Sequence, residues 1–133
     1  MSFTGPVEDM RIIRELHERY SDAVVRQDVQ AYLDCWAADG QRTGSGGECR
    51  GHADLAAHFT GVFQALEQMA YFIQLASIAV DGSNATARSY TLEFVKPRDG
   101  LGFQVVGEYT DELTALAGGW VFSRRNYRVV MAP

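Results

Sequence analysis

Histidine is the side chain best suited to move protons near neutral pH, because its ordinary pKa is about 6.5. The chain has three histidines. His17 lies among charged residues of a predicted first helix, which predicts a solvated ring, and His52 stands where the third helix is predicted to start, which indicates a structural role. His58 shares one side of that helix with Leu55 and Val62, so it could face the interior as a base. No two histidines have the spacing of metal ligands with a carboxylate, and no metal site is predicted.

Two cysteines and a cluster of glycines are the other residues that could carry recognisable chemistry. Cys35 and Cys49 are too few for a disulfide framework or a four-ligand zinc site, so both are predicted to be reduced thiols. The glycines between residues 40 and 51 do not form a phosphate cradle, because a GxGxxG pattern would need glycine at position 49. The chain has no GxxxxGKS/T, HExxH or GxSxG pattern, which excludes nucleotide, zincin and nucleophile-elbow chemistry.

The composition is that of an ordinary domain with an acidic balance. The 133 residues include 12 Lys and Arg against 17 Asp and Glu, for a net charge of −5, with 47% hydrophobic and 22% charged residues. This length fits one domain, residues 1–133. The charge and the lack of a basic run argue against nucleic acid as a partner. No stretch approaches the roughly 20 apolar residues that cross a bilayer, and the amino-terminal residues lack the apolar core of a signal peptide. The sequence therefore predicts a cytoplasmic protein with no membrane partner.

Apolar spacing predicts three helices in the first half of the chain. Residues 7–26 carry apolar side chains at intervals of three and four. Asp28 is placed to cap a short second helix over residues 29–37, and a third helix is predicted over residues 53–68. The glycine-rich residues 39–51 are predicted to be loops, with room for one short strand.

Four strands are predicted in the second half. β-branched and aromatic residues are concentrated in residues 71–80, 85–96, 103–113 and 120–130. Turn signals rich in Gly, Asp and Asn separate them, which predicts consecutive antiparallel hairpins. Helices followed by such a meander indicate an α+β fold whose helices cover the apolar face of the sheet and leave an apolar pocket. Aromatic side chains of both halves are the candidates to line it: Tyr20, Trp36, Phe59, Tyr90 and Tyr109.

Four short segments, spread over most of the chain, carry a recognisable pattern. They are residues 19–22 (Arg-Tyr-Ser-Asp) followed by Gln27 and Asp28, residues 80–82 (Val-Asp-Gly) followed by Ala85, residues 107–113 (Gly-Glu-Tyr-Thr-Asp-Glu-Leu) and residues 119–125 (Gly-Trp-Val-Phe-Ser-Arg-Arg). Together they resemble the SnoaL-like family of the nuclear transport factor two superfold. The resemblance implies a cystatin-like α+β cone, with N-terminal helices packed on a curved, mostly antiparallel sheet. The branch with scytalone dehydratase and hexachlorocyclohexane dehydrochlorinase implies a small lyase that needs no cofactor.

The resemblance also implies three catalytic positions. The aspartate of the dehydrochlorinase dyad falls on Asp28, and the arginine that closes its last-strand motif falls on Arg125. The histidine that serves as base in these lyases would stand eleven residues before Gly82, where this chain has Tyr71. Since a phenol has an ordinary pKa of about 10, Tyr71 suits a hydroxyl donor to a developing oxyanion better than a base.

The base is therefore expected among the carboxylates. Asp28 is one candidate if burial raises its pKa, and Glu93 and Asp111 on the predicted strands are others. A carboxylate base with a tyrosine donor is also the combination of ketosteroid isomerase, a distant member of the same superfold. Two simpler roles stay open: Asp28 could be only a helix cap, and Arg125 could pair with Asp111 or Glu108 instead of holding a ligand.

These residues lead to a favoured function and two alternatives. The favoured function is a cofactor-free lyase or isomerase (a dehydratase, cyclase or isomerase) acting on a small hydrophobic cyclic or aromatic molecule such as a polyketide or terpenoid. Asp28 would be the base or its orienter, Tyr71 the hydroxyl donor and Arg125 the electrostatic clamp. The alternatives are a non-catalytic binding module for a small hydrophobic ligand and a purely structural partner domain. By analogy with the family, a homodimer or homotrimer is predicted.

Overall fold

The computed structural model describes residues 2–133. Within them three helices and seven strands follow one another: β1 (Phe3–Thr4), α1 (Val7–Arg26), α2 (Val29–Asp34), β2 (Trp36–Gly44), β3 (Cys49–Arg50), α3 (Gly51–Ala65), β4 (Leu66–Asp81), β5 (Asn84–Pro97), β6 (Phe103–Leu116) and β7 (Gly119–Met131). All seven strands join one sheet in the order β1-β4-β5-β6-β7-β2-β3. A helix both long enough and apolar enough to span a membrane is not found between residues 2 and 133.

Helix α1 has the bounds that its apolar spacing predicts. It begins after Pro6 and ends at Arg26, and the residue that caps its C-terminus, Gln27, adopts the left-handed conformation with φ 56°. Its apolar stripe is buried, with Ile13 and Leu16 fully enclosed and Tyr20 nearly so. The helix packs against β4 and β7, so its buried side faces the concave surface of the sheet.

Strand β2 occupies residues for which the sequence predicts helix and loop. Helix α2 ends at Asp34 instead of residue 37, and Trp36 already begins β2. β2 pairs in parallel with β7, with Trp36 opposite Phe122. The prediction of loops over residues 39–51 is therefore wrong where β2 and β3 lie. The pairing joins two distant parts of the chain, so local sequence carries little signal for it.

The junction between α3 and β4 also differs from the prediction. The helix ends at Ala65, and the chain enters β4 at Leu66 instead of residue 71. Leu66 is paired with Pro97 of β5, so the first residues of β4 are held by the neighbouring strand. Pairing across the sheet decides the boundary here, against a helical periodicity that would allow α3 to continue.

The strands β4 to β7 form the consecutive antiparallel hairpins that the turn signals predict. The register shifts between Leu75 and Ser77 in β4, and between Glu112 and Leu113 in β6. Such irregularities bend and twist a sheet, and this sheet curves around the helices. The predicted α+β cone, with N-terminal helices packed on a curved, mostly antiparallel sheet, is confirmed.

Candidate active site

A cavity of about 350 Å³ lies between the helices and the concave face of the sheet. Every helix and every strand from β4 to β7 contributes to its wall, which is mostly apolar. The wall is formed by Tyr20, Val24, Tyr32, Arg42, Ser45, Gly46, His58, Phe59, Val62, Phe63, Leu66, Met69, Tyr71, Glu93, Val95, Val105, Tyr109, Tyr127 and Val129. Its volume falls within the range of about 300–1,000 Å³ that is usual for sites that hold small molecules.

Tyr71 presents a hydroxyl group that has no hydrogen-bond partner among residues 2–133. The residue lies on β4, is 5% exposed, and its buried oxygen makes no hydrogen bond with any described residue. Burial raises its pKa well above 10, so the phenol stays protonated. A buried hydroxyl without a partner is unfavourable unless a ligand accepts its proton in a hydrogen bond. Tyr71 is therefore a ready donor.

His58 is the titratable group of the cavity that is best suited to accept a proton. It projects from α3 into the same cavity and is half-buried. Burial, followed by the positive charge of Arg42, lowers its pKa below 6.5. The imidazole is therefore neutral at pH 7 and has a free lone pair.

Glu93 places a carboxylate beside Tyr71, because the two residues are paired across β4 and β5. Its Oε2 accepts hydrogen bonds from the hydroxyl groups of Tyr127 at 2.5 Å and Thr91 at 2.7 Å. Gly107 makes room for this arrangement, since a Cβ there would lie 2.6 Å from the Tyr127 hydroxyl and 2.7 Å from that of Thr91. The absence of a side chain at residue 107 thus lets Tyr127 reach Glu93.

Arg42 lines the cavity and was not among the residues that the sequence predicts. It lies on β2 and is 7% exposed. Its Nη1 donates hydrogen bonds to the backbone oxygens of Ser45 at 3.0 Å and Gly47 at 3.3 Å. The glycine-rich segment around Arg42 is predicted to be a loop, and no pattern in the sequence indicated that the Arg42 side chain points into the cavity.

Arg125 and Asp111 lie behind the cavity wall and not at its surface, which corrects the predicted clamp and candidate base. Arg125 donates two hydrogen bonds to Asp111, at 2.8 and 3.1 Å, and both side chains are fully buried. Nε2 of His17 lies 3.2 Å from the same carboxylate, so the predicted solvated position of His17 is wrong. Although burial alone would raise the pKa of Asp111, Arg125 and His17 hold it below its ordinary value. The ion pair supports the wall from behind, with the Arg125 guanidinium carbon 3.7 Å from the ring centre of Tyr109 and 4.5 Å from that of Tyr20.

Three other predicted site residues lie outside the cavity. Asp28 is exposed, and its Oδ1 accepts a hydrogen bond from the Ala31 amide at 3.0 Å, so it caps α2 and the prediction of a base there is wrong. Trp36 is buried in the core against Phe122 and does not line the cavity. Tyr90 lies on the outer face of β5 and is 37% exposed, because alternate residues of a strand point to opposite faces. Sequence spacing could not show which face of β5 the helices cover.

The remaining predicted residues come together around one space: Tyr20, His58, Phe59, Tyr71, Glu93 and Tyr109. His52 is occupied elsewhere, since its Nε2 lies 3.1 Å from the backbone oxygen of Trp36. Between residues 2 and 133 no group of three or more His, Cys, Asp or Glu side chains could hold a metal ion. Cys35 and Cys49 are both buried free thiols.

A family model for the SnoaL-like domain matches residues 6–126. No curated protein sequence matches the chain significantly.

Three solved structures show how widely the fold is shared. A candidate aromatic ring hydroxylase from Novosphingobium aromaticivorans is 28% identical, with a TM-score of 0.89 over 96% of this chain and 93% of that one. A candidate scytalone dehydratase from the same species is 18% identical, with a TM-score of 0.88 over 96% and 87% of the two chains. A type 2 hexachlorocyclohexane dehydrochlorinase is 17% identical, with a TM-score of 0.88 over 96% and 88%.

Proposed function

The chain belongs to the SnoaL-like domain family, and on that premise we propose that it is a cofactor-free lyase or isomerase acting on a small hydrophobic ring compound, such as a polyketide or terpenoid. One observation carries the proposal: the neutral imidazole of His58 and the hydroxyl of Tyr71, which has no hydrogen-bond partner among the described residues, line the same mostly apolar cavity. The dehydratase and the dehydrochlorinase among the similar structures support a lyase. The candidate ring hydroxylase supports a ring-shaped ligand.

His58 acts as the base in this proposal. A base that removes a proton from carbon works best when its pKa lies near the working pH and its unprotonated form predominates. The lowered pKa of His58 meets the second condition at pH 7. Asp28, exposed at the start of α2, does not have access to the cavity.

Tyr71 stabilises the negative charge that proton removal creates. Its hydroxyl donates a hydrogen bond to the carbonyl oxygen of the substrate as that oxygen becomes an enolate. The apolar wall strengthens this hydrogen bond, because little water competes for it. Glu93, the neighbour of Tyr71 across the sheet, provides an acceptor for a hydroxyl group of the substrate.

The proton that His58 removes also completes the reaction. Returned to a different carbon, it gives an isomer and regenerates the neutral imidazole. Delivered to a hydroxyl group two bonds from the enolate carbon, it releases water while the enolate electrons form a carbon–carbon double bond. Both routes conserve protons and electrons and need no further reagent, which is why isomerase and dehydratase chemistry fit one site.

A binding module for a hydrophobic ligand is the second candidate function. It is favoured by the absence of a carboxylate that would orient His58, since the one histidine–carboxylate contact found among residues 2–133 is that of His17 with Asp111. A base without an orienting partner is held less firmly for proton transfer.

Hydrogen–deuterium exchange on a cyclic ketone tests the proposal. Wild-type protein in D₂O with saturating 2-tetralone is expected to accelerate exchange of the protons beside the carbonyl, measured by NMR. The His58→Gln variant should lose about 100-fold or more of this acceleration, the usual contribution of a general base. His52→Gln is the matched control, because His52 binds a backbone oxygen outside the cavity and should leave the rate unchanged.

Two outcomes would contradict the proposal. Binding of 2-tetralone without accelerated exchange would show that the protein is a binding module and not an enzyme for this class of compound. If 2-tetralone neither binds nor exchanges faster, the ligand of the cavity is not a neutral hydrophobic ring ketone.

The assembly and the compartment stay predictions. Large apolar side chains are exposed on strands β4, β5 and β6, which supports the predicted homodimer or homotrimer: Phe72, Leu92, Phe94 and Phe103. Light scattering coupled to size exclusion gives the assembly directly. The free thiols of Cys35 and Cys49 support the predicted location in the cytoplasm, because that compartment keeps thiols reduced.

A further inference from the structure

Arg42 is a buried cation with no anionic partner in the part of the chain that the structure describes. No ion pair is found for its guanidinium between residues 2 and 133, although it is 7% exposed. Arg125, the other arginine of the interior, is paired with Asp111 through two hydrogen bonds. Removing a charge from water is unfavourable unless a partner compensates it, so the contrast between the two arginines requires an explanation.

The guanidinium of Arg42 is held in a fixed orientation. Two backbone oxygens, those of Ser45 and Gly47, accept hydrogen bonds from its Nη1. Its Nε and Nη2 make no hydrogen bond to a described residue, and the side chain forms part of the cavity wall. A guanidinium held in this way keeps donors for a planar acceptor with two oxygens.

The acidic side chain of the cavity does not neutralise Arg42. Among the described residues of the wall Glu93 is the one carboxylate, and its Oε2 is bound by Tyr127 and Thr91. The ring of Tyr127 lies against Arg42, with its centre 5.5 Å from the guanidinium carbon. Arg42 and Glu93 therefore flank Tyr127 without an ion pair between them.

We propose that Arg42 binds a carboxylate group of the ligand, and that the cavity selects ring compounds that carry a carboxylate over neutral rings of the same size. The inference deepens the proposed function, because it assumes that the cavity holds the substrate. The carboxylate sits against Nε and Nη2 of Arg42 while the ring lies on the apolar wall. In the proposed reaction this anchor places the ring between Tyr71 and His58.

A purely structural Arg42 is the competing explanation. In that case the side chain serves to hold the turn between β2 and β3 through Ser45 and Gly47, and water in the cavity satisfies its other donors. The two explanations differ in one measurable respect, since a structural Arg42 gives the cavity little preference for a carboxylate.

Binding of 2-naphthoate and 2-naphthamide by titration calorimetry separates them. The two probes have the same ring and nearly the same size but differ in charge. Wild-type protein is expected to bind 2-naphthoate about 10- to 100-fold more tightly, the usual effect of charge-assisted hydrogen bonds. Arg42→Gln should abolish the preference and keep the affinity for 2-naphthamide, while Arg42→Lys should keep part of it. Arg19→Gln, which removes an exposed arginine of α1, should change neither affinity.

A second measurement does not depend on the stability of the variants. In a ¹⁵N–¹H spectrum of arginine side chains, the Nε–H signal of Arg42 is expected to shift on addition of 2-naphthoate and to stay in place with 2-naphthamide. Equal affinity of the wild type for the two probes, or a preference that survives in Arg42→Gln, would overturn the proposal. The exchange assay with neutral 2-tetralone is independent of these results, so failure of the anchor and failure of the catalytic proposal are distinguishable.

Discussion

Asp111 and Arg125 face each other across strands β6 and β7 and form a fully buried ion pair that is joined by two hydrogen bonds. The pair lies one layer behind the cavity, with the guanidinium stacked on the rings of Tyr109 and Tyr20. Arg125 therefore acts on the cavity by positioning two aromatic side chains of its wall. Arg42 is the arginine that reaches the ligand space itself.

Loss of Asp111 should strongly destabilise the fold. Asp111→Ala is expected to lower the free energy of unfolding by about 3–5 kcal/mol, because it leaves the charge of Arg125 buried and unpaired. Denaturation by urea measures the change. Glu112→Ala, at the exposed neighbouring position of β6, should stay within about 0.5 kcal/mol of wild type. Similar small losses in the two variants would show that the ion pair is not needed for stability.

Loss of the Tyr71 hydroxyl should separate stability from activity. Tyr71→Phe is expected to leave the free energy of unfolding within about 0.5 kcal/mol of wild type, since the hydroxyl has no partner to lose. The exchange rate with 2-tetralone should fall about 100-fold, as for a donor to an oxyanion. Tyr127→Phe is the matched comparison: it removes a hydrogen bond to Glu93 and should lower stability by about 1–3 kcal/mol. A Tyr71→Phe variant with full activity would remove Tyr71 from the mechanism.

The rate should depend on pH through His58. Its neutral form is the active one, so the exchange rate is expected to rise with pH through a pKa below 6.5 and then to level off. Because the pKa of Tyr71 is raised well above 10, the exchange rate is not expected to decline below about pH 10.

The same profile tests what lowers the pKa of His58. Arg42 on β2 is the second cause of the lowering, after burial of the imidazole. Arg42→Gln should therefore shift the acid limb to higher pH when the neutral probe 2-tetralone is used. A limb at the same pH in both proteins would show that burial alone lowers the pKa.

Gly107 should tolerate no side chain. In Gly107→Ala the new methyl group would overlap Tyr127 and lie 2.7 Å from the hydroxyl oxygen of Thr91. The hydrogen bond from Tyr127 to Glu93 must therefore break or shift. The expected loss of stability is about 1–3 kcal/mol, as for other overpacked interiors. Gly119→Ala is the control, since nothing lies within 4 Å of the added carbon at that position. Thermal unfolding of the two variants gives the answer, and equal midpoints would show that Tyr127 has room to move.

Local patterns in the sequence were sufficient where the physical signal is itself local. The intervals of three and four in α1 set its bounds and turned Tyr20 inwards, since helical geometry fixes which residues share a side. The turn residues predicted the hairpins from β4 to β7, since a turn also depends on a few adjacent residues. On α3, His58 lines the cavity together with Val62, the residue one helical turn further along.

Long-range contacts decided the rest. Strand β2 exists because it pairs in parallel with β7, and that pairing brought Arg42 to the cavity from a segment that reads as loop. Arg125 could have reached a ligand or either of two carboxylates, and only the register of β6 against β7 placed it on Asp111. Asp28 has the same capping pattern whether or not it faces the interior. The burial of a charged side chain depends on which distant surfaces close over it, and a single segment of sequence does not contain that information.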